Sequence, residues 1–174
     1  MPAATVDAET LVETLLRHDV KFVVVGGFAI ELWEVALDPT VDVDITPEGS
    51  KENLARLAEA LNELDAEIRY GDYSVKVPGG FTGQIIEDMM VLNLITSAGP
   101  LDLTIMPAGT EGYSDLVRRA ADIQYRAVSV PTADLEDIAR SKEAAGRPKD
   151  IRVLPAIRAH IERRRRSVTS TASR

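Results

Sequence analysis

The chain switches repeatedly between two hydrophobic periods, and the switches mark its elements. Leu11, Val12, Leu15 and Leu16 recur at helical spacing behind Asp7, which predicts a capped amphipathic helix. The run KFVVV follows, β-branched and of the kind buried on both faces of a sheet. FAIELWEVA, after Gly27, reads as a short helix ended by Asp38-Pro39. VDVDI at 41–45 alternates strictly and predicts a strand. Ser50 then caps a helix that turns Leu54, Leu57, Ala58, Leu61 and Leu64 inward.

Further on, AEIRY and SVKV predict strands around a Gly71-Asp72 turn, and PGGFTG predicts a loop. MMVLNLIT and LDLTIM predict two strands joined through SAGP, with Met89 and Met90 in the core. A helix is expected over 113–121, a short strand at YRAVSV, and a helix capped by Thr132 that runs to Ala144. GRPKD breaks that helix; a last one starts near Asp150, where Pro155 predicts a kink or a new start. The order predicts an α+β fold: a small mixed β-sheet flanked by helices, with a helical C-terminal subregion. The expected organisation is a core over 1–131, a helical subregion over 132–166 packed on it, and a disordered tail over 167–174.

Composition narrows the chemistry. The 174 residues include no cysteine and only two histidines, His18 and His160, which excludes thiolate sites and disfavours His-rich metal sites or a histidine-centred triad. No apolar run approaches the roughly 20 residues of a membrane span. The N-terminus lacks the basic and apolar regions of a secretory signal, so a cytoplasmic location is expected. Net charge is −8, but ten of the 20 Lys and Arg lie between Arg140 and Arg166, against Glu143, Asp150 and Glu162. An acidic body with a basic arm can draw a polyanion towards a site that would otherwise repel it; the plainer reading of the arm is a solubilising helix face.

Within VDVDI, Val41, Val43 and Ile45 point one way and Asp42 and Asp44 the other. LDLTI repeats the pattern, with Asp102 and Thr104 opposite Leu101, Leu103 and Ile105. An isolated pair of this kind is most simply a solvated strand face. If the strands are neighbours, about 4.8 Å apart, three carboxylates converge, and at least one pKa rises unless a cation neutralises them. Oxygen ligands without His or Cys suit Mg²⁺ or Mn²⁺. Two such ions serve in-line phosphoryl or nucleotidyl transfer. Gly26 and Gly27, where a strand turns into a helix, would let backbone amides approach a phosphate. Lys142 lies four residues after Ile138 and three after Ala139, so its stem leaves the helix near the buried face.

VVVGGFAIELW…PTVDVDIT resembles the glycine-pair and DxD signature of the DNA polymerase β-type nucleotidyltransferase superfamily, and SKEAAGRPKDI (141–151) is similar to the lysine-bearing motif of its nucleotidyltransferase-like toxins of the MenT/AbiEii type. The resemblance covers roughly Lys21 to Leu154. It implies a metal triad of Asp42, Asp44 and Asp102, contact of Lys142 with nucleotide phosphates, and Asp150 as a further polar site residue. It also implies phosphate or metal-shell contacts for Thr40. Arg147 and Lys149 are placed to touch triphosphate or RNA. Many relatives carry arginine two residues before that threonine; here it is Asp38, which cannot pair with phosphate.

The function so implied is a Mg²⁺-dependent toxin of a toxin–antitoxin pair, moving NMP from an NTP to an acceptor hydroxyl such as a tRNA 3′ end. Its partners would be NTP, tRNA and a cognate antitoxin, with no membrane. The alternatives are a small-molecule (antibiotic-type) or protein acceptor, or a non-catalytic nucleotide-binding module of the same fold.

Overall fold

The computed structural model describes residues 5–172. The chain runs α1 (Ala8–Arg17), β1 (Phe22–Val25), α2 (Gly26–Leu32), β2 (Val43–Pro47), α3 (Lys51–Glu63), β3 (Glu67–Tyr70) and β4 (Tyr73–Val75). It continues through α4 (Gly83–Asp88), β5 (Val91–Thr96), β6 (Gly99–Thr104), α5 (Tyr113–Leu116), β7 (Ala121–Tyr125), β8 (Val128–Thr132), α6 (Leu135–Ala145) and α7 (Pro148–Ala172). The eight strands form one sheet in the order β4-β3-β5-β6-β2-β1-β8-β7. It is mixed: β2 pairs with β6, and β1 with β8, in parallel, and the remaining pairs are antiparallel. The α+β class read from the sequence is thus the observed one, with a larger sheet than expected.

One face of the central strands is sealed in the core. Val43, Ile45, Leu92, Leu94, Leu101 and Leu103 join Leu11 and Leu15 of α1 and Leu54, Leu57 and Leu61 of α3 in one hydrophobic cluster. Asp7 and Ser50 cap α1 and α3, accepting from the Thr10 and Asn53 amides respectively. Among the described residues no helix is long and apolar enough to cross a membrane.

Several expected boundaries move. The helix expected over 113–121 is a single turn, and Ala121–Tyr125 forms β7, a hairpin with β8 closed by Arg126 at φ 51°. The alternation of Ile123 and Tyr125 with polar neighbours suits this edge strand. Thr132 ends β8 instead of capping a helix: its hydroxyl donates to Val130, and Asp134 is the cap of α6. Met90 is exposed, whereas Met89 is partly buried against the core at the C-terminus of α4, a helix capped by Thr82 inside the expected loop. Gly146, left-handed at φ 64°, ends α6 as expected.

Beyond it, α7 runs through Pro155, so of the two outcomes expected there, a kink or a new start, the new start does not occur. The carbonyl that Pro155 cannot bond belongs to Ile151, an exposed residue. The helix also continues over Ser167–Ala172, where a disordered tail was expected, with the Ser167 and Thr169 hydroxyls donating to the Arg163 and Arg165 carbonyls one turn back. Residues 173 and 174 of that expected tail lie outside the described residues. Trp33, at the end of α2, donates from Nε1 to the Ala133 carbonyl at 2.7 Å, and the Arg164 guanidinium of α7 lies 4.2 Å over its ring. One indole therefore ties α2 both to the approach to α6 and to the far half of α7.

The strands that carry the site are fastened at their opposite ends by Asn53, fully buried in the first turns of α3. Its Oδ1 accepts from the Lys21 amide at 2.7 Å, and its Nδ2 donates to the Lys21 and Glu48 carbonyls at 2.9 and 2.7 Å. Asn53→Ala orphans the Lys21 amide and the Glu48 carbonyl, while the Lys21 carbonyl keeps the Glu48 amide at 3.0 Å, and it should lower unfolding free energy by about 2–3 kcal/mol in urea denaturation. Stability unchanged within error would show that Asn53 does not fasten β1 to β2.

Candidate functional site

Parallel pairing of β2 and β6 sets Asp44 directly beside Asp102. Their neighbours Val43, Ile45, Leu101 and Leu103 are buried on the other face, as the alternation predicts. The same row continues to Asn93 on β5, the register partner of Asp102. Asp42, however, is not on the strand: β2 begins at Val43, and Val41 is 63 % exposed instead of pointing into the core. Asp42 sits in the approach to β2, where the Thr40 hydroxyl lies 2.9 Å from its Oδ1 and 3.2 Å from its carbonyl oxygen.

The glycine pair has a cause that the sequence did not suggest. Gly26, at φ 67°, starts α2 immediately after β1, and a Cβ there would collide with the Asp44 carboxylate. A Cβ on Gly27 would sit 3.0 Å from the Thr40 hydroxyl oxygen. Both positions are kept bare by the acidic segment packed against them.

Packing a carboxylate there has an electrostatic consequence. Burial, then the charges of Asp42 and Asp102, push the Asp44 carboxyl up to about 7, against the pull of Lys142 and Lys149. Burial also raises Asp102, with Asp42 adding to the shift and Arg69 opposing it. Arg69 Nη2 lies 3.0 and 3.4 Å from the two Asp102 oxygens, reaching from β3 past the intervening β5. The sequence reading missed Arg69: it stands at an alternating position of AEIRY, but nothing local says which strand lies between it and Asp102.

A third group of residues meets across the α6–α7 junction. Asp150, buried at the start of α7, takes Lys142 Nζ on Oδ1 at 3.1 Å and Arg147 Nε on Oδ2 at 2.5 Å. Burial pushes the Asp150 carboxyl up, but the hydrogen bonds from Arg147 and Lys142 outweigh it and hold it below the ordinary carboxylate range. A cavity of about 470 Å³ lies between this cluster and the sheet, with Gly26, Asp44, Lys142, Arg147 and Asp150 in its wall and Leu116 and Ile138 supplying apolar surface. Asp102 lies beside Asp44 on the next strand, Asp42, Thr40 and Gly27 lie behind the Gly26 turn, and Asp38 is exposed.

Asp44 feels the charges of both Asp42 and Asp102, although only Asp44 and Asp102 are strand neighbours. Among the described residues, no three Asp, Glu, His or Cys side chains are gathered closely enough to hold a metal ion. Asp42 precedes β2, where it accepts from the Thr40 hydroxyl, and Asp102 pairs with Arg69. In kind, the donors still fit a hard divalent cation. They are all carboxylates, and Asp44 carries a repulsion that a dication would relieve.

That repulsion makes stability pH-dependent. The native Asp44 carboxyl keeps its proton to about 7, whereas the unfolded one loses it near 3.8, so the native state loses stability as pH rises between those values and changes no further above them. In metal-free buffer, Asp44→Asn should therefore be more stable than the parent chain, by up to about 4 kcal/mol at pH above 7. Thermal unfolding in chelator from about pH 5 to about pH 8 measures it. A gap that fails to widen with pH would show that Asp44 titrates normally.

Comparison with known proteins bears on what such a site belongs to. Among solved structures, the chain is similar to ANT(2″)-Ia in complex with adenylyl-2″-tobramycin, at 15% identity and TM-score 0.57, over 94% of this chain and 92% of that one. The solution structure of the antibiotic-resistance factor ANT(2″)-Ia matches at 14% identity and TM-score 0.54, over 95% and 90%. TM1012 of Thermotoga maritima, described as a candidate nucleotidyltransferase, matches at 15% identity and TM-score 0.56, over 84% and 87%. At these identities the likeness establishes the nucleotidyltransferase fold. A search of curated proteins returns no match. Residues 3–158 match the family model "Nucleotidyltransferase of unknown function (DUF6036)". The chain is therefore a member of that nucleotidyltransferase family.

Proposed function

We propose that this nucleotidyltransferase is metal-dependent and transfers NMP from an NTP to an acceptor hydroxyl, releasing pyrophosphate. One observation carries the reading: Asp44, beside Asp102 and against bare Gly26, faces across a nucleotide-sized cavity the two cations clamped by Asp150. Asp42, Asp44 and Asp102 would hold Mg²⁺ or Mn²⁺, which when bound offsets triphosphate charge and lowers the pKa of the acceptor hydroxyl. Lys142 and Arg147 neutralise phosphate oxygens, and Asp150 keeps both aimed at the cavity. This supplies cations where Asp38 cannot. Thr40 orients Asp42, and Gly26 and Gly27 leave room for that arrangement. The acceptor oxygen bonds to the α-phosphorus as the bond to pyrophosphate breaks, and the hydroxyl proton passes to Asp102.

For the acceptor we propose the 3′ end of tRNA, in a toxin restrained by a cognate antitoxin, as the 141–151 motif suggests. Lys149, Arg152, Arg163 and Arg166 give the C-terminal helix its cationic side, whereas Arg140, Arg158 and Arg165 are tied to acids of the protein itself. The likeness to ANT(2″)-Ia over nearly both chains supports a second reading, a small-molecule hydroxyl as acceptor.

Incubation with each α-phosphate-labelled NTP, Mg²⁺ and either total tRNA or an aminoglycoside panel separates these. Label should enter RNA, and Asp44→Asn should reduce the rate by about 1,000-fold. Label on the aminoglycoside alone would favour the small-molecule reading. Mg²⁺-dependent NTP binding without transfer to any acceptor would leave a non-catalytic module.

A further inference from the structure

Arg69 is absent from every motif described above, yet it is the cation nearest the acidic row. Its guanidinium faces both oxygens of Asp102, at 3.0 and 3.4 Å, and the carboxylate it covers is only 16 % exposed. The contact is not a neighbouring-strand pair. In the sheet β5 lies between β3 and β6, and Asn93 of β5 is the residue directly beside Asp102. An arginine from the second strand over must lie across the sheet face to make it, roughly two interstrand spacings of about 4.8 Å each. That face is open: Val91 is half exposed and Asn93 is exposed, so the arginine stem is not pinned beneath a helix.

The pairing has a cost for a metal site. A divalent ion shared by Asp44 and Asp102 needs an oxygen of Asp102, and the positive charge of Arg69 Nη2 lies within 3.4 Å of both oxygens. The two cations therefore compete for one carboxylate, and each weakens the other by the same factor.

We propose that Arg69 is a built-in counter-cation of Asp102 that a divalent metal must displace, so that Arg69 sets the metal concentration at which the site fills. The proposal rests on the metal-dependent reading above. Without metal, Arg69 keeps the acidic row from repelling itself apart. With metal, it swings off Asp102 onto the open sheet face. The role is that of a positioning residue.

The test is Mn²⁺ binding to the full chain without nucleotide, followed by the electron paramagnetic resonance of free Mn²⁺, for the parent, Arg69→Gln and Arg69→Lys, each also carrying Asp44→Asn. Arg69→Gln should bind Mn²⁺ about two- to fivefold more tightly than the parent, the scale set by losing one partly exposed ion pair. Arg69→Lys, which keeps the charge on a shorter stem, should fall between. Asp44→Asn should abolish binding in every background. Equal or weaker binding by Arg69→Gln than by the parent, with Asp44→Asn still abolishing it, would overturn the Arg69 proposal and leave the metal site standing. Binding that survives Asp44→Asn, or no binding by any variant, would overturn both.

Discussion

The parallel register of β2 with β6 is the constraint from which the site follows. It puts two aspartates side by side on a sheet face whose reverse is sealed by Val43, Ile45, Leu101 and Leu103. A slip of β2 by one residue would turn Asp44 into the core and Val43 and Ile45 out, and a slip of β6 would do the same to Asp102, Leu101 and Leu103, so the hydrophobic half of each strand holds the acidic half in place. Packing energy is spent to keep like charges together, and the rest of the local structure accommodates that repulsion.

Each neighbour can be read as one such accommodation. Gly26 gives Asp44 the volume that a Cβ would take, and Gly27 does the same for Thr40. Thr40 fixes Asp42 outside the strand, and Arg69 crosses β5 to cover Asp102. Opposite them, Asp150 gathers Lys142 and Arg147 into a positive wall that holds an acid of its own in the ionised form. A cavity with an acidic floor and a cationic wall suits a ligand that brings metal ions to one and phosphates to the other, which is the ground for the proposed NTP.

The parts legible in the sequence were those governed by local periodicity. Alternation in VDVDI and LDLTI placed Asp44 and Asp102 on one face, Ser50 and Asp7 announced their helices, and Gly146 ended α6. The parts that were not legible depend on contacts distant in the chain. Asp42 was assigned to the strand because alternation has no means of saying where pairing stops. β7 was missed between a helix expected to end at Ala121 and a strand expected to begin at Tyr125, since its strand state is decided by β8. Arg69 was invisible because its value lies in strand order. The glycines were noticed for a phosphate, and their steric reason, Asp44, lies on a different strand.

Trp33 has a consequence of another kind. It is the only tryptophan in the chain, and its ring contacts Arg164 of α7 while its nitrogen holds the Ala133 carbonyl. All of the chain's indole fluorescence thus arises at the point where the distal half of α7 rests on the body. A guanidinium over the ring and a hydrogen bond at its edge both alter emission, so undocking of that helix is written directly into the native spectrum. The protein carries its own optical gauge of the long helix, with no dye to attach and no second tryptophan to subtract.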